Sequence, residues 1–357
     1  MQNPVPDRKI LNVINKGAVI PPLPLALSEN KGIDEKYQKA LIRYYFDAGA
    51  GGIAVGVHTT QFEIRKPGID LFQPLLEFAQ CIISDCVLKH PGPFIKIAGV
   101  CGETDQAAKE AETAMSHGYD AALLSLAALK NSSDDALIDH CKFISRIIPL
   151  FGFYLQPAVG GRILPYSFWR RFVEIENVAA IKIAPFNRYQ TLDVVRAVAM
   201  SARENDVTLY TGNDDNIIMD LLTPYHVNTP RGVKNIRIKG GLLGQWSVWT
   251  RKAVLMLGEI HDIVDKQEPV PPDILSRNAA LTDANAALFD ASNNFAGCIP
   301  GIHEVLRRQG LLRTTRCLDP NLKLSPGQAD EINRVTGDYP FLTDDDFVRE
   351  HLEEWLV

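Results

Sequence analysis

A (β/α)8 barrel followed by a C-terminal helical appendage is the fold class that this 357-residue chain predicts. Three observations lead there. Eight short apolar runs alternate with longer amphipathic stretches over about 265 residues, close to the ~250 typical of such barrels. The first run, in "VIPPLPLALSEN", carries prolines where a doubly wound sheet would announce a glycine-rich phosphate turn. Beyond Pro272 the alternation stops and only helical patterns continue.

Taken in order, the apolar runs place strands at residues 18–23, 52–57, 94–100, 121–125, 152–155, 179–184 and 208–211, with an eighth inside 236–245. Amphipathic spacing places helices between them, for example at 34–48, 104–117, 134–147 and 189–202. The charged "NTPRGVKNIRIKGG" reads as a loop insertion around the eighth strand. "KQEPVPPD" reads as a linker, so the chain divides into a barrel over residues 1–265 and a helical region over 270–357. Helices are expected there at 279–292, 301–308, 326–335 and 344–355.

Composition narrows the function. A 46% hydrophobic content supports a large core, and the net charge of −6 without a block of like charges argues against nucleic acid or an anionic membrane as partner. No stretch reaches the roughly 18 consecutive apolar residues of a membrane span, and the N-terminus lacks the apolar segment of a secretory signal. A cytoplasmic location is therefore expected. Cys81, Cys86, Cys101, Cys141, Cys298 and Cys317 lack paired spacing, which fits reduced thiols and neither zinc nor a disulfide framework.

One polar residue interrupts a run that otherwise reads as a buried strand: Lys182, in "VAAIKIAPF". Period two puts Ala180, Lys182 and Ala184 on one face and Ile181 and Ile183 on the other. In a barrel the bulky face packs on the outer helices and the small face points inward, leaving room around the lysine. Burial disfavours the ammonium form and so favours a neutral, nucleophilic amine. The plain structural alternative is a lysine that snorkels from the strand end. A second polar residue, Tyr154 in "LFGFYLQPAVGG", stands at another predicted strand end with Gly152 on its face. A phenol beside an amine can relay protons, while a packed tyrosine with a satisfied hydroxyl is the structural alternative.

"FYLQPAVGG", an amphipathic helix and then "NVAAIKIAP" together resemble the tyrosine and lysine segments of the dihydrodipicolinate synthase and N-acetylneuraminate lyase family. Those enzymes carry Y-N-x-P-x-x-x-G and then G-I-K-x-[AS] about two dozen residues later, and the spacing from Tyr154 to Lys182 fits. The resemblance runs from "IDEKYQKALIRYYFDAGAGGIAV" to "NAALFDASNNFAGCIPGIHEVLRRQGLL" in the helical tail. It implies a TIM barrel with C-terminal helices. It also implies that Lys182 forms a Schiff base with pyruvate or another 2-oxo acid and that Tyr154 is the general acid/base. No added cofactor or metal is needed, because the covalent imine does the chemistry.

The family's G-T-T-G-E segment, which holds the 2-oxo acid carboxylate, aligns without gaps on Val57, His58, Thr59, Thr60 and Gln61. Thr59, or Thr60 after a one-residue shift, keeps a hydroxyl there. His58 replaces a threonine and is read either as a carboxylate donor or second acid/base, or as a satisfied structural residue. Val159 stands where the synthase has its aldehyde-binding arginine, and "LLSLAALKNSS" lacks the aromatic pair that supplies a relay tyrosine across a subunit contact. Both differences argue against the lysine-biosynthetic reaction.

"TGNDDN" sets Gly212, Asn213, Asp214 and Asp215 after the seventh strand, where Asp214 is a substrate-facing candidate and a helix cap is the default. Paired aspartates without a third ligand do not make a metal site. In "KGGLLGQW", Gly244 is a candidate anion cradle, with a tight turn as the simpler explanation. The leading reading is a Schiff-base lyase or aldolase on a small 2-oxo acid or sugar acid. A 2-keto-3-deoxy sugar acid dehydratase using the same imine is the alternative, and a non-catalytic binding barrel is a third reading. Family likeness implies a homotetramer or homodimer.

Overall fold

The computed structural model describes Pro4 and residues 6–357. Its strands, in chain order, are β1 (Gly52–Val55), β2 (Ile95–Val100), β3 (Ala121–Leu124), β4 (Leu150–Leu155), β5 (Val178–Ala184), β6 (Thr208–Thr211), β7 (Tyr225–Thr229), β8 (Gly232–Ile236) and β9 (Ile238–Gly241). Parallel strands alternating with helices are the βα units of a TIM-like barrel, as the sequence predicts. Two compact units form: one holds the described residues up to Ala18 with 95–213 and 219–242, the other 19–94, 214–218 and 243–357. The division expected between 265 and 270 falls in the short segment between the helices Thr250–Lys266 and Pro272–Leu288.

In the first unit β2, β3, β4, β5, β6 and β9 lie side by side in that order, all parallel. A helix follows each of the first four: Thr104–Ser116, Asp134–Ser145, Tyr166–Phe172 and Arg188–Met200. Their starts have local causes. Ser133 accepts a hydrogen bond from the Ala136 N–H, and Asn187 accepts from the N–H groups of Tyr189 and Gln190, each satisfying donors that a helix start leaves open. Ile181 and Ile183 are fully buried, as the alternation in "VAAIKIAPF" requires.

The eighth barrel strand is β9, inside the expected 236–245. The segment before it is not a plain loop insertion: β7 and β8 pair antiparallel as a hairpin, from Tyr225 opposite Ile236 to Thr229 opposite Gly232. Gly232 at the turn has φ +95°, a conformation that a side chain would strain.

The second unit contains β1 and the expected first strand. Residues 19–23 run beside β1, with Gly51 N–H donating to the Val19 carbonyl, Ala54 N–H to Pro21 and Leu23 N–H to Ala54. Pro21, Pro22 and Pro24 have no N–H to give, so only an isolated bridge, Pro22 to Ala54, forms instead of a regular ladder. The tail helices are Pro272–Leu288, Cys298–Arg308, Gln328–Asp338 and Asp345–Trp355. The first begins seven residues earlier than its hydrophobic pattern suggests because Pro272 sits at its first position, where a missing N–H costs nothing. Among the described residues no helix is long and apolar enough to cross a membrane.

Candidate active site around Lys182

The register of β4 against β5 decides what Lys182 meets. Leu150 pairs with Val178, 28 positions on, but Phe151 pairs with Ala180, 29 positions on, because the register slips between Leu150 and Phe151. Phe153 therefore stands opposite Lys182 and Tyr154 opposite Ile183. Residues paired across a parallel sheet share a face, so Lys182 and Phe153 point to one side and Tyr154 to the other. The side chains agree: Lys182 Nζ lies 4.6 Å from the centre of the Phe153 ring.

On the lysine's side the wall is built in layers. Tyr210 of β6 pairs with Lys182 and sets its ring edge-on to Phe151 at 5.1 Å, while its hydroxyl donates to the Ile14 carbonyl. Above them Gly212 leaves the space that the lysine stem fills: a Cβ there would lie 2.6 Å from Lys182 Cε and 2.7 Å from Ala184 Cβ. Lys182 is partly buried, against an apolar ring on one side and a bare backbone on the other.

Tyr154 does not join this group, which corrects the expectation of a phenol beside the amine. Its ring packs against Trp169 of the helix Tyr166–Phe172 at 5.2 Å, and its hydroxyl accepts a hydrogen bond from the Leu164 N–H. Burial raises the phenol's pKa above its ordinary value; the Leu164 bond opposes that rise and the Asp193 carboxylate adds to it. Gly152 shares this helix side, where a Cβ would come within 2.6 Å of the Phe172 ring.

Beyond β6, Asn213 is fully buried in a polar network. Its Oδ1 accepts from the Phe186 N–H at 3.0 Å, and its Nδ2 donates to Asp220 Oδ2 at 2.8 Å and to Thr191 Oγ1 at 3.4 Å. Thr211 also donates to Asp220, whose other oxygen pairs with Arg188. Low dielectric strengthens such a network when every member is matched.

The other expected residues belong to the second unit. His58, Thr59 and Thr60 form a 3-10 turn directly after β1. The Thr60 hydroxyl donates to the Leu23 carbonyl and accepts from the N–H groups of Gly56 and Val57, so it serves the turn. Thr59 is buried, and the His58 ring lies 6.0 Å from that of Phe62. Asp214 and Gly244 come together: Asp214 Oδ1 accepts from the Gln245 N–H, and a Cβ on Gly244 would be 3.9 Å from Asp214 Oδ2 and 3.1 Å from Phe289. Their contacts are those of a capped tight turn. Among the described residues no group of three or more His, Cys, Asp or Glu side chains is arranged to hold a metal.

Sequence reasoning missed Phe153. The signal was present in its alternation with Tyr154, but which set faced Lys182 depends on the register.

Three solved structures with this fold show what the chain is similar to. Dihydrodipicolinate synthase from Acinetobacter baumannii, solved with pyruvate, superposes with a TM-score of 0.72 at 17% identity, over 91% of this chain and 99% of that one. The synthase from Bacteroides thetaiotaomicron gives 0.70 at 14% identity over 95% and 100%. N-acetylneuraminate lyase from Fusobacterium nucleatum gives 0.68 at 14% identity over 91% and 99%. No protein-family model matches the chain, and no curated protein sequence matches it. The resemblance read from the tyrosine and lysine segments is thus borne out as a shared fold.

Proposed function

We propose that the protein is a class I, Schiff-base-forming lyase or aldolase acting on pyruvate or another 2-oxo acid through Lys182. The observation that carries this reading is the setting of the lysine: a mid-strand amine on the small-residue face of β5, flanked by the Phe153 ring and by the gap at Gly212. The likeness to synthase and lyase structures supports it.

In this reading the neutral amine attacks the keto carbon and the carbinolamine loses water. The protonated imine then takes up the electron pair of the bond between its α- and β-carbons, as the β-hydroxyl gives its proton to water and that fragment leaves as an aldehyde. In the other direction the imine loses an α-proton to water, giving the enamine that adds to an aldehyde, and hydrolysis returns the amine. Tyr154 takes no direct part, because its hydroxyl lies on the helix side of β4. Phe153 supplies an apolar wall and a π-face that favours the iminium charge.

Borohydride trapping tests the reading. Incubation with pyruvate or members of a 2-oxo acid panel, followed by reduction and peptide mass spectrometry, should place the adduct on the peptide containing Lys182, and Lys182→Ala should not trap. Absence of an adduct with every 2-oxo acid in the panel would overturn the proposal.

A further inference from the structure

Gly212 lies at the end of β6 with its N–H donating to the Ile183 carbonyl at 2.7 Å, so its backbone is locked to the strand that carries Lys182. A Cβ at this position would sit 2.6 Å from Lys182 Cε, 3.1 Å from its Cγ and 2.7 Å from Ala184 Cβ. Those separations are closer than non-bonded carbons come, so any side chain at 212 must displace the lysine stem or move the backbone. The backbone is anchored against moving. Next to it Asn213 is fully buried and hydrogen-bonded to Phe186, Asp220 and Thr191, and its own N–H donates to Thr211 Oγ1 at 3.1 Å. The bond to Phe186 also secures a non-glycine residue at φ +52°, four positions after Lys182. Both the strand end bearing the lysine and the strand end bearing the glycine are therefore held by one network.

We propose that Gly212 is a positioning residue for Lys182: its missing side chain defines the channel in which the lysine stem lies, and so the direction in which the amine is presented. This rests on the reading of Lys182 as the imine-forming group. The glycine is not required for a left-handed turn, since its φ is not positive. Its requirement is steric and falls on the lysine and Ala184.

The test uses the full-length protein, Gly212→Ala, and the double variant Gly212→Ala/Ala184→Gly, which removes the contact with the rigid Ala184 methyl but keeps the one with the lysine. Two quantities are read in each: the rate of borohydride trapping with pyruvate, and the pH profile of Lys182 acetylation by trace acetic anhydride, normalised to exposed Lys36 and Lys109. Displacing a reacting atom by about 1 Å costs up to ~100-fold, so trapping should fall at least about tenfold in both variants with the thermal midpoint of the double variant near wild type. The acetylation profile of Lys182 should shift in midpoint or limiting rate in both. An unchanged Lys182 acetylation profile in both variants would overturn the positioning role, whatever trapping does. If the wild type traps no 2-oxo acid, the lyase reading fails, and the acetylation comparison still decides whether Gly212 positions the lysine.

Discussion

Tyr154 spends its hydroxyl on the loop that follows its own strand, accepting the Leu164 N–H in a buried setting. Removing that acceptor leaves an N–H to find another partner, at a cost of about 1 kcal/mol. Tyr154→Phe should therefore lower stability by roughly that amount in a denaturant titration while leaving the Lys182 trapping rate within about threefold of wild type. A larger loss of trapping would bring the phenol back into the chemistry. Phe153, by contrast, faces the amine, yet "GFYLQP" shows no chemistry in a phenylalanine. Lys182 itself was legible, because the alanine and isoleucine alternation around it is a local property of one strand. Thr60 was legible only as a hydroxyl near the expected place; its two bonds within the turn after β1 and its third to the Leu23 carbonyl depend on the fold.

Between elements, β4 and the helix Tyr166–Phe172 come together through a glycine. Gly152 has no Cβ to meet the Phe172 ring, and the same face carries the Tyr154–Trp169 contact. Gly152→Ala places a methyl 2.6 Å from a ring carbon in a packed core, where overpacking costs about 1–3 kcal/mol. Chemical denaturation of this variant should show that loss; a change under about 0.5 kcal/mol would mean that the helix shifts freely, as it does not in a close-packed interior. Most elements followed from periodicity, with β6 and the helices after β2, β3 and β5 lying close to their expected bounds. Two departures have definite causes. Prolines removed the N–H groups of the first strand's ladder, and the charged segment before β9 closed into a hairpin by pairing with itself.

For the whole molecule, a buried histidine couples stability to pH. His303 lies fully buried in the helix Cys298–Arg308, and desolvation pushes its pKa down to about 4 from 6.5, against the pull of the Thr315 and Arg316 backbone. The unfolded chain thus binds this proton first, so the contribution is fully present above pH 6.5 and is lost as pH falls through 4. The loss reaches about 3 kcal/mol for a shift of this size. Stability measured from pH 7 to 4 should fall less steeply in His303→Gln than in the wild type; parallel curves would show that the histidine carries no such coupling.

The alternating pattern, the places of most parallel strands and the face of its strand that Lys182 shares with Ala180 and Ala184 were readable in the chain, because each depends on the local period of a strand or helix. The partner of Lys182 was not. Period two separates Phe153 from Tyr154 but cannot say which of them faces the neighbouring strand's lysine, since that is a relative phase between strands 28 or 29 residues apart in sequence. With the offset of Leu150 and Val178 continued, Tyr154 would have stood opposite Lys182. The slip after Leu150 adds one position, and with a period of two one position exchanges the faces.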